Sequence, residues 1–225
     1  MFDRKLLALG ALAGVAYGLF EVAGVIVGGM SNPVQFDTFP SAATAARAAA
    51  TSMPVGVWVG FGIEVLATVA LLAFVVRASA AVRAADAQGL IARSALVSGA
   101  INVGLVFASF GVMAARYAGA GHGLDGQSVI TLAYLGWGGY VMSWPAMGIF
   151  LGALAVGTLR THAFPAWLGW TGVAVAVIGL AGTLDPTNLG QLAQLLSLLY
   201  IPAAGVALVL RRTAASQATG VMIPA

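Results

Sequence analysis

The chain has 225 residues, 60% of them hydrophobic and 8% charged, with a net charge of +3 and a mean hydropathy of +0.98. A soluble domain carries roughly three times that share of charge, so water is not the principal solvent of this sequence. The length accommodates six or seven spanning helices but no nucleotide-hydrolysing domain, and the lack of cysteine excludes disulfides, thiolate metal sites and cysteine nucleophiles.

The first apolar run, about 6–30, follows Asp3-Arg4-Lys5 and contains Ala11-Leu12-Ala13, an arrangement that imitates a secretory signal with its cleavage site. The run is too long for a signal segment and is expected to remain as the first span. Glu21 lies within the outer half of this span. In the connection from Ser31 to Met53, the stretch Ser41 to Ala50 is rich in alanine and opens on a capping serine. It predicts a short helix at or near the outer surface, as a plain connector or as a partner-binding lid.

The second span, about 55–76, carries Glu64 about ten residues from its outer end, roughly 15 Å deep, with Trp58 and Phe61 nearby. The third, about 94–116, has Asn102 near its middle. The segment Gly121-His-Gly-Leu-Asp-Gly126 reads as a flexible outer loop, because it lacks the lysine and the strand–loop–helix setting of a phosphate loop.

The fourth span, about 134–159, contains Tyr140, Trp144 and Pro145. The proline removes a backbone donor and frees the carbonyl of Val141, which predicts a kink bordering a cavity. The run Trp144-Pro-Ala-Met-Gly-Ile-Phe-Leu-Gly-Ala-Leu-Ala-Val-Gly-Thr-Leu-Arg160, followed by Phe164-Pro-Ala-Trp-Leu-Gly-Trp170, resembles a bacterial family of small six-helix membrane proteins, domain of unknown function 4386. The likeness covers most of the chain in layout and residues 136–182 in motif. It implies a six-helix fold and carries no activity, so it assigns no functional residue.

The fifth span, about 167–184, is the shortest. It starts after Pro165, with Trp167 and Trp170 as interfacial anchors. The sixth, about 192–210, spaces Gln191, Gln194 and Ser197 three residues apart as a polar stripe, and its Pro202 frees the carbonyl of Leu198. Gly14/Gly18, Gly24/Gly28, Gly56/Gly60 and Gly148/Gly152 have the spacing that lets helix backbones approach, which predicts tight packing within the chain.

The fold class expected is therefore all-α, a polytopic transmembrane bundle forming one domain over 1–225. Arg4, Lys5, Arg77, Arg83, Arg93, Arg160, Arg211 and Arg212 fall on one side of six spans, Arg47 and Arg116 on the other. The positive-inside rule then puts both termini in the cytoplasm of an inner (plasma) membrane protein, with Asp37, Asp125 and Asp185 outside. Seven spans would break this alternation. The basic residues form no patch, which speaks against a nucleic-acid partner.

Glu21 and Glu64 carry the functional signal, because an ionisable group at such depth costs about 2.5 kcal/mol or more and needs a partner, water or a proton. The bland reading of each is a neutral acid hydrogen-bonded to a neighbouring helix. With no basic residue predicted at its depth, Glu64 has its charged form disfavoured. The candidate ligand-binding residues around the two acids are Trp58, Phe61, Asn102, Tyr140, Trp144, Gln194 and Ser197. His122 and His162 are expected on opposite membrane sides, and the single lysine, Lys5, at the cytoplasmic edge, so neither a shared metal or haem nor an intramembrane Schiff base is expected. No metal or other cofactor is expected.

The leading expectation is a protein that binds or moves a small lipophilic or amphiphilic molecule in an outward-opening pocket. The alternatives are an intramembrane acid–base isomerase or cyclase acting on an isoprenoid-like substrate with Glu64 and Glu21 catalytic, and an accessory subunit of a larger complex. A transporter this small, with no inverted repeat in its sequence, is expected to act as a homo-oligomer.

Overall fold

In hydrocarbon a lone segment satisfies its backbone donors and acceptors only as a helix. Every long apolar run is helical in the computed structural model, which describes residues 4–34, 41–84 and 88–218, with side chains over 12–34, 41–84 and 88–210. The helices are α1 (Arg4–Ser31), α2 (Ala42–Ala50), α3 (Val55–Arg83), α4 (Leu90–Gly119), α5 (Gly126–Thr161), α6 (Ala166–Ala181) and α7 (Gln191–Ala218). A single π-helical turn, Pro186–Gly190, leads into α7. No strand occurs among the described residues.

Five of these helices are long and apolar enough to cross a membrane, one fewer than the six spans expected. The exception is α6, whose 16 residues reach only about 24 Å. It stops before Leu184 because the chain turns at Gly182, where any Cβ would meet the Cα of Gly190 at 2.7 Å. At its start the Pro165 cap lies where the sequence places it, with Trp167 and Trp170 exposed.

Short turns reverse the chain between α4 and α5 and between α5 and α6, and α3 packs on α4. The contacts then close a ring in chain order: α1 on α3, α3 on α4, α4 on α5, α5 on α6, α6 on α7 and α7 back on α1. The outside of the ring is apolar, with Leu19, Ile26, Leu66, Ile101, Leu135 and Leu199 exposed. Such a surface suits lipid and not water, so the protein is membrane-embedded. The inner core is built on Phe74, Phe150, Leu151, Leu154, Leu168 and Ile201, all essentially inaccessible.

Glycines set how closely the ring members approach. A Cβ on Gly60 of α3 would overlap the backbone of Gly28, and one on Gly24 would meet Glu64 Cγ at 2.6 Å and the Gly60 carbonyl at 3.0 Å. Gly14 and Gly18 do the same for α1 on α7. A Cβ on Gly18 would meet the Pro202 ring at 2.6 Å and the Leu198 carbonyl at 3.6 Å. The carbonyl freed by Pro202 is thus covered by α1. Neither Pro145 nor Pro202 interrupts its helix, and Val141, whose carbonyl Pro145 frees, is buried away from lipid.

The alanine-rich segment is helical as expected, with Ser41 accepting from the Thr44 N–H at 3.2 Å. It docks on the start of α5: Ala45, Ala48 and Ala49 bury against Val129, and the Gly121 N–H donates to the Ala49 carbonyl at 2.7 Å. The Gly-rich loop is accordingly a closed turn, with Gly121 and Gly123 at positive φ. Asp125 then caps α5 by accepting from the Ser128 N–H at 2.6 Å, a bond that holds its carboxyl below the usual aspartate range.

Arg77, Arg83, Arg93 and Arg160 gather at one end of the bundle, Arg47, Arg116, Asp125 and Asp185 at the other. Asp37 lies outside the described residues, as do the side chains of Arg4, Lys5, Arg211 and Arg212.

Candidate functional site

A cavity of about 390 Å³ lies inside the ring, within the roughly 300–1,000 Å³ of small-molecule pockets. Along α4 its lining runs from Asn102 to Arg116, about 21 Å, and along α5 from Leu132 to Leu151, about 28 Å. The chamber is elongated, beginning near Arg116 in the last turn of α4 and ending among Leu71, Leu151 and Val175.

Both intramembrane acids face it, Glu21 from α1 and Glu64 from α3. Glu64 fits because Gly24 has no side chain, so the glycine seam between α1 and α3 also seats the carboxyl. The two acids lie within electrostatic reach of each other and of Tyr140, and Glu21 also reaches Tyr17. Among the described residues, no basic side chain is among the charges that shift either.

Of the other expected residues, Asn102, Tyr140, Trp144, Gln194 and Ser197 line the same cavity. Trp58 and Phe61 do not. They belong to an adjoining aromatic group with Tyr117 and Phe110, Trp58 lying 5.9 Å from Tyr117 and Phe61 5.6 Å from Phe110, ring centre to ring centre. The reason is rotational. At about 100° per residue, Trp58 sits some 120° around α3 from Glu64 and points to the periphery, where it is 38% exposed. Gln191, the first residue of the predicted polar stripe, is likewise exposed and off the cavity.

The cavity also contains residues the sequence reading missed, among them Tyr17, Thr68, Ser109, Arg116, Trp137 and Ser143. Tyr17 lies one turn before Glu21 and Thr68 one turn after Glu64, so helical spacing from the two acids was the available signal. Arg116, expected near the outer surface, lines the mouth at the last turn of α4, its guanidinium carbon 5.1 Å from the Tyr117 ring centre. Trp137, Tyr140 and Trp144 pack mutually at 5.7–6.0 Å on α5, forming an aromatic wall opposite the acids.

The α4–α5 wall is held in register by two interhelical hydrogen bonds. Asn102 Nδ2 donates to the Ser143 carbonyl at 2.9 Å, and Ser109 Oγ donates to the Gly136 carbonyl. The donors are seven residues apart on α4 and the acceptors seven apart on α5, two helical turns in each case. Asn102 Oδ1 is buried with no donor among the described residues, whereas the Trp144 Nε1–H, also buried, faces the Tyr140 hydroxyl one turn away on α5. An orphaned group such as Asn102 Oδ1 costs roughly 1–3 kcal/mol unless something else satisfies it.

His122 lies in the α4–α5 turn and His162 at the far end of α5, so the two share no site. Fold and cavity together define an all-α membrane-embedded bundle with an amphiphilic chamber between its helices. No protein-family model, curated protein or solved structure matches the chain.

Proposed function

We propose that this protein binds, and in a membrane moves, a small lipophilic or amphiphilic molecule held in the chamber between its helices. One observation carries the reading: an elongated cavity with apolar and aromatic walls receives two carboxyl groups from different helices, with the buried Asn102 Oδ1 beside them lacking a donor among the described residues. Such a chamber recognises a molecule by its apolar body and fixes it by a few polar contacts. The positive-inside rule puts the basic end in the cytoplasm, so the chamber opens outward and both termini are cytoplasmic. A chain of this size carries its ligand across as an oligomer, and exchange of protons at the two acids supplies the coupling.

A second reading, an intramembrane isomerase or cyclase, is favoured by the aromatic wall at Trp137, Tyr140 and Trp144 facing the two acids. There Glu64 donates a proton to a lipophilic substrate and Glu21 stabilises the cation.

Occupancy can be read from the protein's own fluorescence. With Trp58→Phe, Trp167→Phe and Trp170→Phe, only Trp137 and Trp144 remain of the five tryptophans. In nanodiscs, a brominated ten-carbon amphiphile should quench them saturably. Gly136→Leu should abolish the quenching, because position 136 lines the chamber; a Cβ there meets nothing nearer than Val112 Cγ1 at 3.7 Å, and an unchanged melting temperature checks that the longer side chain leaves the bundle intact. Equal, non-saturating quenching in both proteins would refute the proposal. Product formed from an isoprenoid alkene in detergent would select the enzyme reading.

A further inference from the structure

The polar groups of the chamber are unevenly matched between donors and acceptors. Thr68, Ser143 and Ser197 donate their hydroxyl protons to the carbonyls of Glu64, Tyr140 and Ala193 at 3.1, 2.7 and 2.8 Å. Ser109 does so to the Gly136 carbonyl. What these four hydroxyls still offer the chamber is oxygen lone pairs. Asn102 has likewise committed its amide N–H to Ser143, which fixes the orientation of its amide and leaves Oδ1 buried without a donor. Its side chain is 97% buried and lines the chamber, since its residue exposure is 3%.

Two carboxyl groups add to this surplus of acceptors, and among the described residues no basic side chain is among the charges that shift them. The aromatic wall adds π-faces, which attract cations. On the donor side stand the Trp144 indole N–H, the hydroxyls of Tyr17 and Tyr140 and the Gln194 amide. Arg116 is at the mouth and already engaged. A ligand complementary to this wall brings N–H donors and positive charge.

We infer that the ligand class is a protonated lipophilic amine: an ammonium bearing N–H donors, placed between Glu21, Glu64 and Asn102 Oδ1, on an elongated apolar body lying along α5. The inference rests on the proposed binding function and deepens it. Charge alone would admit a quaternary ammonium equally well. The orphaned Asn102 oxygen and the four hydroxyl lone pairs call for N–H donors, which a quaternary centre lacks. An anionic headgroup would face two carboxyls and an acceptor-lined wall, and a neutral alcohol supplies one donor and no charge.

The experiment uses the full chain in phosphatidylcholine nanodiscs, with Trp137 and Trp144 as reporters and four brominated ten-carbon probes: the primary amine, the trimethylammonium, the alcohol and the carboxylate. Empty nanodiscs give each probe's partition into lipid. The amine should bind at least tenfold tighter than the alcohol and the carboxylate, and several-fold tighter than the trimethylammonium, after that correction. Glu21→Gln with Glu64→Gln should remove the preference of amine over alcohol. The isosteric change can be checked by melting temperature, and should the double variant not fold, the probe series on the unaltered acids decides alone. Equal saturable binding of amine and alcohol, or tighter binding of the carboxylate, overturns the amine assignment and leaves the binding function standing. Equal binding of amine and trimethylammonium overturns the role of the N–H donors. No saturable binding of any probe overturns both.

Discussion

The contact of α1 with α3 allows a sharp test, because two glycines of the same helix, two residues apart, face opposite environments. A Cβ on Gly60 would overlap the backbone of Gly28 and meet the Gly24 carbonyl at 2.9 Å, whereas one on Gly62 meets nothing within 4 Å. Both Gly→Ala changes gain the same helix propensity, about 1 kcal/mol, so it cancels in their difference. What remains is overpacking, about 1–3 kcal/mol. The upper part of that range applies, because the atoms in the way of Gly60→Ala are all backbone and no side chain can swing aside. Gly60→Ala is therefore expected to be less stable than Gly62→Ala by about 2–3 kcal/mol. Unfolding in mixed micelles followed by tryptophan emission measures the difference directly. The same retreat of α1 carries Glu21 away from Glu64, so Gly60→Ala should also weaken ligand binding. Equal stability of the two variants would mean that the helices are not in contact as described.

Four further outcomes are expected. Cysteines placed singly at Arg83 and Asp125 should react with an impermeant reagent in intact cells only at position 125; labelling at 83 alone would invert the topology. Asn102→Leu and Ser109→Ala should each cost about 0.5–1.5 kcal/mol and add within about 0.5, because the two bonds lie two turns apart; strong non-additivity in a double-mutant cycle would contradict independent bonds. Asp125, held low by its cap, stabilises the fold above the ordinary aspartate range, and this contribution is lost as pH falls through its lowered folded value. Asp125→Ala should lower the melting temperature at neutral pH and flatten its decline in acid, and an unchanged acid limb would exclude the cap. Gly190→Ala would drive a Cβ into the Trp144 ring and should shift that residue's emission; an unaltered spectrum would contradict the contact.

The helical class was legible because it depends on one segment at a time, and composition names the solvent. The α2 helix was legible for the same reason, through alanine propensity and a serine cap. What one segment does not carry is rotation about its own axis. Trp58 and Phe61 share a span with Glu64, yet Thr68 and Leu71, one and two turns on, are the residues that share its face. Trp137 and Ser143 enter the chamber because α5 turns that side to α1 and α4, a fact held in Gly136, Ser109 and Asn102 jointly. The short α6 was misjudged by a few residues because Leu184 continues the apolar run, while the turn at Gly182 depends on Gly190, across the loop.

The ring closes in chain order, and its last contact joins the last helix to the first. In a membrane, helices arrive one after another, so the chamber has no wall on the α7 side until α7 itself is inserted. Glu64 does not have to wait, because Gly24 and Gly60 bring α1 and α3 together as soon as the second long helix is in place. Asn102 finds the Ser143 carbonyl only when α5 arrives, and α7 seals the chamber by laying Pro202 over Gly18. Substitutions in the first seam should thus strike insertion and early assembly, and those in the last seam a protein already inserted but open on one side.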